Sequence, residues 1–175
     1  AFTVPADVIP RTQWATAAPE LRLADPMIRV ERITVHHDGM PPVALTSQAA
    51  VAARIEQIRR GHRANGWADI GYHYIVDPQG RVWEGRPIAL QGAHVKLANP
   101  RNMGVLVLGN FEVQRPTPAA TDAVERFLVE QMRRHRVPVR SVYTHKELAA
   151  TACPGRNLQQ LMVSTRSRGG MVANA

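Results

Sequence analysis

Met103-Gly104-Val105-Leu106-Val107-Leu108 carries no polar side chain at any position. A strand with one wet face alternates polar and apolar residues. A strand without that alternation is covered on both faces, so this one belongs at the centre of a sheet layered by helices. Reading outward, Arg29 to His37 predicts a second strand, β-branched at Ile33, Thr34 and Val35. Ile70 to Val76 predicts a third strand. Asp77-Pro78-Gln79-Gly80 is a turn that returns Arg81-Val82-Trp83-Glu84 as a hairpin. Ser141 to Thr144 predicts a last short strand that ends at His145.

Helical patterns lie between the strands. Thr46 or Ser47 can cap a helix running to about Arg60, with Val51, Ile55 and Ile58 on one face, and Gly61 to Gly66 stopping it. Thr117-Pro118 has the form of a helix start, followed by an apolar stripe of Val124, Phe127, Leu128 and Met132. Leu158, Leu161 and Met162 suggest a third, short helix. The fold class is therefore α/β: a single domain with a central mixed sheet covered by about three helices. Residues 1–28 read as an irregular packing segment anchored by Trp14. Residues 29–165 form the body of the domain, and 166–175 read as a frayed tail.

The chain has 175 residues, enough for one proper core, and a formal charge of +8. Only Lys96 and Lys146 among its twenty-two basic residues are lysine. Such a balance favours an acidic partner. Nucleic acid is not the expected one, because the cluster Arg133-Arg134-His135-Arg136 lacks interleaved aromatics and suits a helix C-terminus. No apolar run reaches the length of a membrane span. Ala1-Phe2-Thr3-Val4-Pro5 shows no basic-then-apolar leader pattern, so any export signal is read as removed or never present.

The single cysteine, Cys153, has no partner for an internal disulfide. His145 stands eight residues before it, and His36-His37 ends the first predicted strand. Two imidazoles and a thiolate make a zinc set with a fourth position open, the catalytic arrangement. His36 and His37 point to opposite faces of a strand, so only one can easily join such a site. From spacing alone a second reading stands equally: a small buried cysteine and hydrogen-bonded histidines. The long loop 87–102 is a functional candidate on length alone.

Taken in order, the motifs carry more. They are Ile9-Pro-Arg11-Thr-Gln-Trp14, Val35-His36-His37, Gly66-Trp67-Ala-Asp69-Ile70-Gly71-Tyr72-His73-Tyr74 and Gly80-Arg81-Val-Trp83-Glu84-Gly85-Arg86. Gly92-Ala93-His94, Asn102-Met-Gly104, Gly109-Asn110-Phe111 and Thr144-His145 through Thr151-Ala-Cys153-Pro154-Gly155 follow. Across nearly its whole length the chain resembles the zinc-dependent N-acetylmuramoyl-L-alanine amidases, in the branch of peptidoglycan recognition proteins and phage lysozyme-type amidases.

The resemblance implies one Zn2+ held by His36, His145 and Cys153, with Tyr72 beside it. It implies hydrolysis of the amide between N-acetylmuramic acid and L-alanine in peptidoglycan by metal-activated water. Tyr72 and Thr151 are the catalytic candidates, and His94, His37, Trp67 and Arg86 the substrate contacts. Arg86 and the 87–95 loop are where a choice between diaminopimelate and lysine stems would be made, since an arginine can pair with the extra carboxylate, and the sequence leaves that choice open. His37 would line the cleft or support the metal, His73 points away from it, and His62 and His135 read as surface residues. Relatives that recycle wall fragments carry a glutamate where this chain has Leu106. Relatives that bind without cutting commonly lose the cysteine, which is present here. No carboxylate is an obvious general base; Glu84 and Glu147 are the candidates, and the proton path is unassigned. The expectation is a monomeric hydrolase, secreted or periplasmic and associated with the cell wall. The alternative is a non-catalytic peptidoglycan-binding module.

Overall fold

A computed structural model describes residues 5–175; Ala1 to Val4, where the N-terminal packing segment begins, lie outside the described residues. The elements run β1 (Arg32–His37), α1 (Gln48–Ala64), β2 (Tyr74–Val76), β3 (Val82–Glu84), β4 (Asn102–Val107), α2 (Pro118–His135), β5 (Val142–Thr144) and α3 (Arg156–Arg166). The sheet order is β3-β2-β4-β1-β5. Among the strands of the described residues, β2 and β3 pair antiparallel, and β2-β4, β4-β1 and β1-β5 are parallel. β4 is central, and all six of its residues are buried, as its unbroken apolar run requires.

Strand alternation divides the interior into two layers. Ile33, Val35, Met103, Val105 and Val107 pack with Phe127, Leu128, Leu158 and Met162 on the side of α2 and α3. Ile75, Leu106 and Leu108 pack with Val51, Ile55 and Trp14 on the side of α1. The caps are those the sequence announces. Ser47 Oγ accepts from Ala50 N, and Thr117 Oγ1 accepts from Ala120 N ahead of Pro118. Trp14 anchors the opening segment, its indole N–H donating to Glu84 O at 2.8 Å.

Several boundaries differ from expectation, with β1 beginning at Arg32 rather than Arg29 and larger changes at α1, β2 and the tail. α1 runs through Gly61 to Ala64, because its last turn is held from outside: Arg63 donates to Trp67 O, and His62 Nδ1 accepts from Gly71 N. β2 begins at Tyr74 rather than Ile70. The preceding segment pairs instead with the long loop, where Ala93 N donates to Gly71 O and Arg86 N to Tyr72 O. The tail is docked, not frayed. Val172 is fully buried among residues of α2 and α3, and its N–H donates to Thr165 Oγ1. Val172 is the tail's strong apolar anchor, and the Gly169-Gly170 turn brings it back onto the core.

Candidate metal centre

The parallel strands β1 and β5 end together, and open sheets place their sites at such carboxyl ends. Val35 is paired with Thr144, so the residues that follow, His36 and His145, emerge side by side, with ring centroids 4.6 Å apart. The loop beyond returns Cys153 to the same point. One donor atom from each of His36, His145 and Cys153 lies within 4.8 Å of the others.

His36 sits on the α1 side of the sheet, buried, with its tautomer fixed by its neighbours. His94 Nε2 lies 3.1 Å from the carbonyl of Asn102, which can only accept, so that nitrogen carries a proton. Burial among other histidines holds the His94 pKa at about 3, so the ring is neutral and its Nδ1 is an acceptor. His36 Nε2 therefore donates to His94 Nδ1, at 3.0 Å. That leaves the lone pair of His36 on Nδ1, which is 3.6 Å from Cys153 Sγ.

The residues fit a soft divalent cation. His145 Nδ1 is buried without a hydrogen-bond partner, an orphan that a ligated ion would satisfy. Burial pushes the Cys153 thiol up to about 11, against a donation from His37 N to Sγ at 3.4 Å. A buried thiol of that kind ionises when it gains a cation, and the donor set of one sulfur and two imidazoles suits zinc.

Tyr72 stands beside His36, ring centroids 5.0 Å apart, half-buried, its hydroxyl pKa raised first by burial and then by Cys153 and Asp38. It stays a donor. Behind it the rings continue to His62 at 5.6 Å, and from His62 to the partly exposed Trp67 at 4.6 Å. Thr151 Oγ1 accepts from Cys153 N, which leaves its own hydroxyl hydrogen to give.

Several sequence expectations need correction. Arg86 is not at a substrate surface. It is buried, and its guanidinium donates to the carbonyls of Ile70, Gln91 and Asp69, fastening the segment before β2 to the long loop. His94 is buried, with Nδ1 against His36 Nε2 and Nε2 on the carbonyl of Asn102, so both ring nitrogens are engaged within the protein. His37 gives its backbone N–H to Cys153, and its half-buried ring accepts from Phe111 N. Glu84 Oε2 accepts from Arg11 N, and Glu147 is paired with Arg166 and caps Thr144, so neither is a base at the centre. His62 is no surface residue: Nδ1 accepts from Gly71 N, and burial lowers its pKa to about 4. His73 needs no correction: as expected it does not join the donor group, and it is buried, accepting from Gly104 N and donating to Leu90 O.

Asp38, unremarked in the sequence, is buried just past β1. Its Oδ1 accepts from Gly109 N and Met40 N, and burial raises its pKa. Its place immediately after the histidine pair is the signal that could have found it. Nothing in the spacing of His62 points to Tyr72.

The sequence pattern described as N-acetylmuramoyl-L-alanine amidase matches residues 26–156. The chain belongs to that family. A peptidoglycan-recognition protein of Drosophila simulans is 30% identical over 152 residues, covering 86% of this chain and 82% of that protein. The human N-acetylmuramoyl-L-alanine amidase is 33% identical over 156 residues, covering 87% of this chain but 27% of that longer protein. In solved structures, the ectodomain complex of peptidoglycan recognition proteins LCa and LCx bound to tracheal cytotoxin aligns with a TM-score of 0.79. It does so at 25% identity, over 93% of this chain and 96% of that one. The family thus holds both amidases and recognition proteins, and this chain has their mixed five-stranded fold.

Proposed function

We propose that the protein is a zinc-dependent N-acetylmuramoyl-L-alanine amidase that cuts stem peptides from peptidoglycan. One observation carries the reading: three donor atoms of the chemistry zinc prefers converge within 4.8 Å at the carboxyl ends of parallel strands, with Tyr72 against them. His36, His145 and Cys153 would hold the ion. When bound, zinc supplies a Lewis acid that polarises an amide carbonyl and brings the pKa of water toward neutrality.

The chain's own residues do the rest. Tyr72, kept protonated by burial, donates to the negative charge that develops on the carbonyl oxygen. Thr151 offers its hydroxyl hydrogen to the substrate from the loop that carries Cys153. Trp67 and His62 form an aromatic wall on which the glycan or its stem can lie. The wall polymer is anionic, and the chain's +8 charge favours encounter with it. Action on that polymer fits a protein that is secreted or held in the periplasm or cell wall. No helix among the described residues is long and apolar enough to cross a membrane.

Purified peptidoglycan incubated with the protein should release peptides bearing a free L-alanine amine. A chelator should stop the release and zinc should restore it. Stoichiometric zinc with intact wall would overturn the enzyme reading and favour a recognition module, the class to which the Drosophila simulans relative belongs by name.

A further inference from the structure

The motif Gly92-Ala93-His94 has no place in the chemistry just described, and His94 is buried with both ring nitrogens engaged by His36 and Asn102. The loop is nonetheless built around it. Asn99 Oδ1 accepts from both His94 N and Val95 N. A Cβ on Gly92 would come to 2.5 Å from His94 Cδ2, and one on Gly104 to 2.7 Å. Two glycines from separate motifs are thus the space in which this imidazole lies. Asn102 receives the His94 proton on its carbonyl, while its side chain accepts from Thr34 Oγ1 and donates to Ala98 O. Thr34 is two residues before His36 on the same face of β1. The hydrogen bonds therefore run in a closed circuit, from β1 through Thr34, Asn102 and His94 back to His36.

We infer that His94 is the positioning residue for the metal centre: by accepting from His36 Nε2 it holds the His36 lone pair on Nδ1, toward His145 and Cys153, before any ion arrives. A neutral imidazole free to choose would spend part of its time with the proton on Nδ1, where it cannot ligate. A partner that can only accept removes that choice, and partners of this kind typically contribute 10- to 100-fold to metal affinity. The inference rests on the amidase reading for the identity of the ion but not for the tautomer.

The tautomer is measured on metal-free wild-type protein by long-range 15N–1H correlation at neutral pH. The expected spectrum shows His36 protonated at Nε2 and His94 likewise. A His36 ring protonated on Nδ1 would overturn the inference without touching the function proposal. Zinc affinity by chelator competition is the second reading. His94→Leu should weaken it about 10- to 100-fold, and His94→Asn, which can place an acceptor near the lost Nδ1, should recover most of the loss. Equal affinity in wild type and His94→Leu would overturn the proposal, as would equal loss in the Leu and Asn variants. Should His94→Leu fail to fold, Gly92→Ala keeps the imidazole but displaces it, and unchanged affinity there would count against the inference equally. A wild-type chain that binds no zinc sinks the amidase reading alone, since the tautomer is still measured.

Discussion

The two faces of the sheet are made by the same strands, and both carry an apolar layer, but the α1 side adds a hydrogen-bonded cluster around His36. Toward α2 and α3, Ile33, Val35, Met103, Val105 and Val107 meet Phe127, Leu128 and Met162, and volume is all that each position must supply. Toward α1, Thr34, His36 and Gly104 meet His94, and nearly every lone pair has an assigned partner. A methyl group more or less is a packing cost on the first face. On the second, one misplaced proton turns a ligand away. Alternation along β1 places Val35 in the first world and His36 in the second, so stability and chemistry should break separately.

The sharpest break is Cys153→Ser. It should abolish zinc binding and lower peptide release by at least about 1,000-fold, because an alcohol does not replace a thiolate on zinc. Comparison of the two metal-free proteins, which removes the stabilisation that bound ion itself confers, should show unfolding free energies within about 1 kcal/mol. Retained stoichiometric zinc in the variant would undo the ligand assignment.

The reciprocal break is Leu128→Ala on the other face. Leu128 is fully buried in the α2 layer. Its truncation should cost about 3 kcal/mol in chemical denaturation, with zinc affinity of the folded fraction unchanged. A parallel fall in affinity would mean that the two faces are not separable.

Tyr72→Phe tests the boundary between them, since Tyr72 packs with the α1 layer and stands against the ligand His36. Zinc affinity and stability should barely move, while kcat falls about 100-fold, the order expected for loss of one donor to a developing oxyanion. Wild-type turnover would remove Tyr72 from the mechanism.

The apolar layers of both faces were legible in the sequence and the hydrogen-bond partners of the polar cluster were not, for one physical reason. Burial leaves a periodic mark: the run at 103–108 identifies the central strand, and Val124, Phe127, Leu128 and Met132 identify α2, before any coordinates exist. The candidate ligand group was legible because sulfur and imidazole are scarce and chemically particular. What a hydrogen-bonding side chain faces leaves no period. Arg86 has the charge to hold a carboxylate, yet spends it on three backbone carbonyls. His94 has the chemistry of a substrate contact, yet both its ring nitrogens are engaged within the protein. His62 has a surface residue's address at the end of α1, yet is wedged between Trp67 and Tyr72. In each case the partner is a backbone atom or a ring from another part of the chain, which spacing does not encode. The tail fails for a related reason: glycine-rich composition suggests fraying, but one valine reaching the core outweighs it.

The smallest effect sharpens the comparison on the α1 side, away from the metal. Glu56 accepts from Arg59 on both oxygens, from Thr16 Oγ1 at 2.7 Å and from Arg60, joining α1 to the N-terminal segment. The Arg59 hydrogen bonds are the main reason its pKa falls from 4.5 to about 2, with Thr16 and Arg60 assisting against the cost of burial. Because the folded value lies below the unfolded one, the contribution is fully present above pH 4.5 and is lost as pH falls toward 2, where the unfolded chain holds a proton that the folded chain refuses. Glu56→Gln removes the ionisation and leaves an acceptor for Thr16. The wild type should exceed it by about 1–2 kcal/mol at neutral pH, a figure reduced for solvent screening of the pair, and the gap should close between pH 4.5 and 2. Denaturation of both proteins across that range gives the difference directly. A gap that persists unchanged at the acid end would show that Glu56 acts through shape and not through charge, and that this part of the α1 side obeys the rule of the opposite face.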